Sequence, residues 1–462
     1  MRRVRHQDAR EDLSAPTYGG RWFREDIPAF DLPEREMPAA AAYQLIVDEL
    51  NLDGNPTLNL ASFVTTWMEP EADRLAAATL NRNFIDHDEY PQTEKIHGRV
   101  VTMLGRLLHA PADSQAVGTA TVGSSEAIML GLLAHKFSWR GRRRVAGLAA
   151  DRPNVVMGAD VHTCWEKFGT YFDVEARVVP MEPGRYTLGP EQARPFIDEN
   201  TIAIGAVMGT TFTGGLDDIT GLAALADDLE AQHGWDIPIH VDAASGGFVL
   251  PFLRPDFAWD FRVPRVRSIN VSNHKFGLVY PGMGALLFRD SSALPAELVF
   301  DITYLGGSMP NCSLNFSRSA TPVILQYYNF LRLGRSGYHQ IMANCLGNAQ
   351  QLGGRLTATG AFESLSAGSG IPVVALRLKG PDEGGPKDLT AEEMADKLRA
   401  KGWIIPSYHL PANAADVGVL RMVVKENFGR ELTDALISDI DVVLGRKEAP
   451  GSDRREAARI IC

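Results

Sequence analysis

Between about residue 58 and residue 343, short β-branched apolar runs alternate with segments of helical period, and this alternation limits the possible folds severely. The runs NVVMG, TIAIGAVMG, IPIHVDAA, RSINVSN and GALLFR read as buried strands. RLAAATLNRNF, SEAIMLGLLAHKF and DITGLAALADDLEAQ read as helices between them. Strands that alternate with helices predict an α/β domain, a mostly parallel sheet covered on both faces. Beyond Leu346 a second set follows, IPVVALRLK, LTAEEMADKLRAKG, WIIPSY and VGVLRMVV, which predicts a smaller α+β domain. The first fifty residues are charged and proline-punctuated and contain one helical stretch, AAAAYQLIVDEL. The expected organisation is an N-terminal arm (1–57), a large domain (58–345), a small C-terminal domain (346–447) and an exposed tail (448–462).

A net charge of -11 argues against a nucleic-acid partner, because a phosphate backbone calls for a basic face. Cys164, Cys312, Cys345 and Cys462 are scattered, which suits a reducing compartment and supports neither a disulfide framework nor a metal site. No run approaches the roughly 18 apolar residues of a spanning helix, so a cytoplasmic protein with no transmembrane segment is expected.

The segment from His240 to Lys275 carries the chemistry. IPIHVDAASGGF is a buried strand that empties into small residues, with Asp242 at its C-terminal end, where open α/β sheets bind ligands. RSINVSNHK ends likewise in Ser272, Asn273, His274 and Lys275. A buried lysine loses its charge readily and can then form a Schiff base with an aldehyde. An upstream aspartate could keep a pyridine nitrogen protonated, and the pair suits pyridoxal 5'-phosphate (PLP). Alone, each residue has an ordinary alternative, a snorkelling lysine or a turn aspartate. Gly123-Ser124-Ser125 opens an apolar helix and offers free N–H groups and hydroxyls to a phosphate, although one serine could equally be a plain cap.

With Gly123-Ser124-Ser125-Glu126-Ala127, His240-Val241-Asp242-Ala243-Ala244 and Ser272-Asn273-His274-Lys275 in that order, the chain resembles the group II PLP-dependent amino-acid decarboxylases. Among them it is most similar to the bacterial and plant glutamate decarboxylases, through LDGNPTLNLASF, NRNFIDHDEYPQT, HKFGLVYPG, ELVFDITYLGG and NFSRSATPVILQYYNFLRLGR. The resemblance implies an aspartate-aminotransferase-like (fold type I) PLP-dependent transferase fold. It makes Lys275 the Schiff-base lysine and Asp242 the partner of the ring nitrogen. Ser124, Ser125, Ser272 and His274 would hold the phosphate. Thr211, Ala244 and His162 would lie against the ring, and Ser317 with Phe316 would reach the phosphate from a neighbouring subunit. Ser62, Phe63, Asn83 and Asp86 match positions that recognise the distal carboxylate of L-glutamate, and Arg421 the α-carboxylate. Tyr304 matches a tyrosine placed to help return a proton. A homodimer is the smallest expected unit, and the resemblance is compatible with a homohexamer.

The pattern departs from the family in three places. His162 stands where glutamate decarboxylases carry glutamine, and Ser62 where threonine is common. The tail Arg459-Ile460-Ile461-Cys462 has neither the histidine that plugs acid-resistance enzymes nor a tryptophan-bearing calmodulin-binding segment, so activity is expected to persist toward neutral pH. The expected reaction is α-decarboxylation of L-glutamate to 4-aminobutanoate and CO2, with one proton consumed. His162 keeps a decarboxylase for another amino acid in view. A carbon–carbon lyase of the same fold would predict a membrane anchor, and a silent scaffold would not need Lys275 with Asp242.

Overall fold

The apolar runs form one seven-stranded sheet: β1 (Val117–Thr121), β2 (Asn154–Gly158), β3 (Glu175–Val179), β4 (Thr201–Val207), β5 (Ile239–Asp242), β6 (Val266–Val271) and β7 (Gly284–Phe288). The computed structural model describes residues 29–34, 36–111, 117–302, 309–366 and 370–446. The strand order is β1-β7-β6-β5-β4-β2-β3. Pairings from β3 through β2, β4 and β5 to β6 are parallel. β7 runs antiparallel to both β6 and β1, so the mostly parallel sheet has a mixed edge. Every residue of β2, β4, β5 and β7 is buried, which explains their unbroken apolar runs.

The chain divides into two compact units, residues 1–55 and 56–462. In the first, α1 (Ala39–Leu50) follows Pro38 and begins with four alanines, the best helix formers. The second unit carries α2 (Pro70–Thr79), α3 (Pro91–Leu107), α4 (Ser124–Val145), α5 (Cys164–Phe172), α6 (Ile219–His233), α7 (Thr321–Thr357), α8 (Ala391–Arg399) and α9 (Arg430–Val443). The helical pattern RLAAATLNRNF stops at Thr79, because Leu80–Asn83 turns to pair with the Ser319 segment. α7 breaks at Gly334, whose φ of 57° a side chain would disfavour.

β8 (Phe300–Ile302) and β9 (Met309–Asn311) form a hairpin. Four antiparallel strands follow, β10 (Phe362–Ser364), β11 (Val373–Leu378), β12 (Ser407–His409) and β13 (Gly418–Val423), in the order β10-β11-β13-β12. Their inner face packs on α7, α8 and α9 through Leu356, Leu376, Met394, Leu398, Leu420 and Leu436. α8 starts in a capping box: Glu393 N–H donates to Thr390 Oγ1 at 3.1 Å, and Thr390 N–H to Glu393 Oε2 at 2.8 Å.

One packing detail bears on the site. A Cβ at Gly205 of β4 would lie 2.3 Å from the Trp165 ring, so the glycine lets that indole cross the strand. The indole can then reach β5.

Candidate active site

At the C-terminal ends of β4, β5 and β6 lies a cavity of about 310 Å³, the lower end of the range for small-molecule sites. It collects nine of the residues expected from sequence: Ser124, Ser125, His162, Thr211, Asp242, Ala244, Ser272, His274 and Lys275. A cavity of about 370 Å³ between Trp67, Leu278, Asn329, Arg332 and Glu426 contains none of them.

Asp242 ends β5 and is buried, which would be costly without partners. Three donors meet its carboxylate: Ala244 N–H at 3.0 Å, Asn270 Nδ2 at 2.8 Å and Trp165 Nε1 at 3.3 Å. Lys275 sits in the turn after β6, held by its N–H to Ser272 O at 3.0 Å and by Thr65 Oγ1 donating to its carbonyl at 2.8 Å. Among the described residues its Nζ donates only to Ser245 Oγ, at 3.4 Å, and it lies 4.9 Å above the Phe63 ring. Burial lowers the lysine's pKa against the opposing pull of Asp242, which favours the nucleophilic neutral amine.

At the other end, Ser124 Oγ and Ser272 Oγ are 2.7 Å apart at the start of α4. Gly123 makes room there: a Cβ would lie 3.1 Å from His274 Cε1. Burial, then Lys275, press His274 down to about 4, and the same two causes lower His162, so both rings are neutral at pH 7. Neutral His162 Nδ1 accepts Cys164 N–H at 3.2 Å. The cavity thus offers a carboxylate for a ring nitrogen, a buried amine of lowered pKa for an aldehyde, and hydroxyls with a helix N-terminus for a phosphate. This donor set fits PLP.

Arg421 of β13 lies at the cavity's edge. Its guanidinium donates to Thr211 O at 2.8 Å and Ala61 O at 2.5 Å and lies 5.1 Å from the Phe63 ring. Its buried Nε has no hydrogen-bond partner, and among the described residues no carboxylate pairs with it. Ser62 precedes Phe63, and its Oγ accepts Val64 N–H at 3.1 Å.

Other expected residues gather elsewhere. Asn83 Nδ2 donates to Ser317 Oγ at 3.4 Å and Asn83 Oδ1 accepts Arg318 N–H at 3.2 Å, with Asp86 N–H bonded to Asn83 O at 3.3 Å. Phe316 stands beside them, 40% exposed. None of these four lines the cavity of its own chain. Glu126 ties their segment to it: its carboxylate accepts Val122 N–H at 2.8 Å, Leu314 N–H at 3.1 Å and Asn315 N–H at 3.2 Å. Tyr304 lies outside the described residues.

Sequence reasoning missed Trp165, Asn270, Glu126, Asp160 and Asp217. A signal existed for Asn270: Ser268, Asn270 and Ser272 alternate with Ile269 and Val271 and so share one face. No such signal marks Asp160, which lines the cavity and contacts the carboxyl of Asp217. Asp217 accepts Leu188 N–H at 2.7 Å and Val207 N–H at 2.6 Å, and among the described residues Asp160 Oδ2 has no hydrogen-bond partner. Burial raises the pKa of both, that of Asp160 to about 6, so the pair holds a proton above the usual carboxylate range. Because the folded values lie above the unfolded one, the pair stabilises fully below about pH 4, and stability is lost as pH rises through the folded values. Asp160→Asn supplies the hydrogen permanently. Its thermal midpoint should exceed the parent's by roughly 1–3 °C at pH 7, with the gain fading toward pH 4 in paired melting curves.

Among the described residues no helix is long and apolar enough to cross a membrane, and no group of three or more His, Cys, Asp or Glu could hold a metal.

Residues 33–379 match the pyridoxal-dependent decarboxylase conserved domain. The chain is 49% identical to glutamate decarboxylase 5 of Arabidopsis thaliana, over 98% of this chain and 90% of that protein. It is 42% identical to the glutamate decarboxylase of Aliivibrio fischeri, over 93% and 92%. A solved Lactobacillus brevis glutamate decarboxylase superposes with a TM-score of 0.89 at 40% identity, covering 94% of this chain and 99% of that one. A Burkholderia pseudomallei sphingosine-1-phosphate lyase, at 22% identity and a TM-score of 0.76, shares the fold.

Proposed function

The chain belongs to the pyridoxal-dependent decarboxylase family, and from that premise and the site's geometry we propose that it converts L-glutamate and a proton into 4-aminobutanoate and CO2. The observation that carries the substrate reading is Arg421, a buried cation beside Lys275 with an unsatisfied N–H and, among the described residues, no carboxylate of its own. An α-amino acid brings that carboxylate.

PLP, when bound, supplies the aldehyde that captures the amine and the ring that accepts the electrons of the breaking bond. Lys275 Nζ would hold the cofactor between turnovers. Asp242 would keep a proton at the ring nitrogen, with His162, Thr211 and Ala244 beside the ring. Ser124, Ser125, Ser272 and His274 would hold the phosphate. Arg421 would orient the α-carboxylate. Ser62 and Phe63, with Asn83 and Asp86, would receive the distal carboxylate, and Asp86 would need a shared proton to do so. Tyr304 would help return a proton to Cα. The separate placement of Asn83, Asp86, Phe316 and Ser317 favours a homodimer in which that cluster completes the cavity of a second copy. The described cysteines Cys164, Cys312 and Cys345 are free, which favours a cytoplasmic site of action.

The test is a decarboxylation assay with PLP and, separately, glutamate, aspartate and an aromatic amino acid, quantifying CO2 and amine. Equal amounts of CO2 and 4-aminobutanoate from glutamate alone are expected; turnover of another amino acid with glutamate inert refutes the substrate. Arg421→Lys keeps the charge but loses the planar fork, and should lower kcat/KM for glutamate by about 100-fold.

A further inference from the structure

The register of the parallel pair β5 and β6 sets His240 opposite Ser268 and Asp242 opposite Asn270. α4 covers this face. A Cβ at its Gly131 would lie 2.7 Å from the His240 ring, and His135, one turn on, reaches Ser268 Oγ at 2.7 Å. Ser268 Oγ is also 2.7 Å from His240 Nδ1, and His240 Nε2 is 2.9 Å from Asn270 Oδ1. Asn270 Nδ2 then meets both Asp242 Oδ1 at 2.8 Å and Ser124 Oγ at 2.9 Å.

The direction of every bond follows from Asp242. A carboxylate only accepts, so the amide nitrogen of Asn270 must face it and the amide oxygen must face His240. His240 Nε2 therefore carries the hydrogen. Burial holds His240 down to about 4 and His135 well below its usual value, so both rings are neutral. Neutral His240 then accepts the Ser268 hydroxyl at Nδ1, and Ser268 accepts from His135 Nε2. Ser124 receives a hydrogen from Asn270, leaving its own hydroxyl hydrogen to donate.

We propose that Asn270 is a positioning residue for the decarboxylation: it ties the carboxylate that meets the cofactor's ring nitrogen to the hydroxyl that meets its phosphate, with its amide locked by the His135–Ser268–His240 chain. The proposal rests on the cofactor reading above. Its consequence is that the two ends of the cofactor are held by one side chain, which touches neither.

Asn270→Asp tests this, because the new carboxylate keeps an acceptor for His240 but loses both donors and places a like charge beside Asp242. The ionisable groups around the position are Asp242 and His240 on β5, His135 on α4, Cys164 on α5, and Asp160, His162, His274 and Lys275 in the cavity loops; the parent protein, measured in parallel, subtracts their titration. PLP affinity, titrated into the PLP-free full-length protein by absorbance, should fall by about tenfold or more at pH 7. The deficit should narrow toward about pH 5, as the introduced carboxyl takes up a proton and becomes a donor again. A PLP affinity that matches the parent's, or a pH-independent loss that follows a lowered melting temperature of the PLP-free protein, overturns the proposal. If that variant does not fold, Ser268→Ala decides the matter, since it breaks the chain two links from Asp242 without lining the cavity. About threefold weaker PLP binding is expected there, and unchanged binding overturns the proposal. Failure of the parent itself to bind PLP overturns the cofactor reading as well, which separates the two failures.

Discussion

Lys275→Ala should lower glutamate turnover by at least about 10⁴-fold while leaving the protein folded. The chemistry requires an amine at that atom, and among the described residues no other lysine lines the cavity. Structurally, Nζ makes one long hydrogen bond among the described residues, to Ser245 Oγ at 3.4 Å, so its removal breaks little. Burial lowers the lysine's pKa, which means that the folded state opposes its charge, and an alanine relieves that opposition. The thermal midpoint of the PLP-free protein should therefore stay within a few degrees of the parent's. CO2 release, 4-aminobutanoate formation and the yellow absorbance of the lysine-bound cofactor are the readouts. Retention of more than about a tenth of the parent rate would remove Lys275 from its role, whereas loss of fold and rate together would make it structural.

The second large effect belongs to Asp242→Asn, for which a fall in kcat of about 10³-fold with little change in KM is expected. The substitution is nearly isosteric but removes the charge that would keep a proton on the ring nitrogen. Geometry adds a further cost. All three neighbours, Ala244 N, Asn270 Nδ2 and Trp165 Nε1, donate to this carboxylate, so an amide NH2 must face at least one donor. A cofactor analogue methylated on its ring nitrogen carries the positive charge permanently. Partial recovery of rate with that analogue would assign the loss to the ring proton; none would assign it to the disrupted hydrogen bonds.

Much of the large sheet was legible because its central strands are buried on both faces and leave unbroken runs such as TIAIGAV and IHVD. β1 and β3 were less so. VGTAT is short and rich in small residues, while EARVV is a half-exposed edge strand with charges on it. The helical stretch AAAAYQLIVDEL coincides with the helix Ala39–Leu50. WIIPSY pointed to a strand, yet β12 begins only at Ser407, after the proline that removes a backbone donor. Six of the nine cavity residues, Ser124, Ser125, Asp242, Ser272, His274 and Lys275, sit in segments at a strand end or a helix start, where local chemistry already points to a ligand; His162, Thr211 and Ala244 were named only through the family resemblance. Arg421 was named from its motif, but its lack of a carboxylate partner could be learned only from the residues around it.

By itself, then, the sequence determined the α/β class, the strand ends that bear Asp242 and Lys275, and the glycine-serine helix start, because residue chemistry and periodicity act over a few positions. Tertiary structure alone decided what those groups meet. The β5–β6 register placed Asn270 between Asp242 and Ser124, a glycine in β4 let Trp165 reach Asp242, and β13 brought Arg421 to Ala61, Phe63 and Thr211. It also set Asn83 beside Ser317 and away from the cavity of its own chain. Such meetings depend on strand order and long-range pairing, in which one step of register turns a side chain to the opposite face.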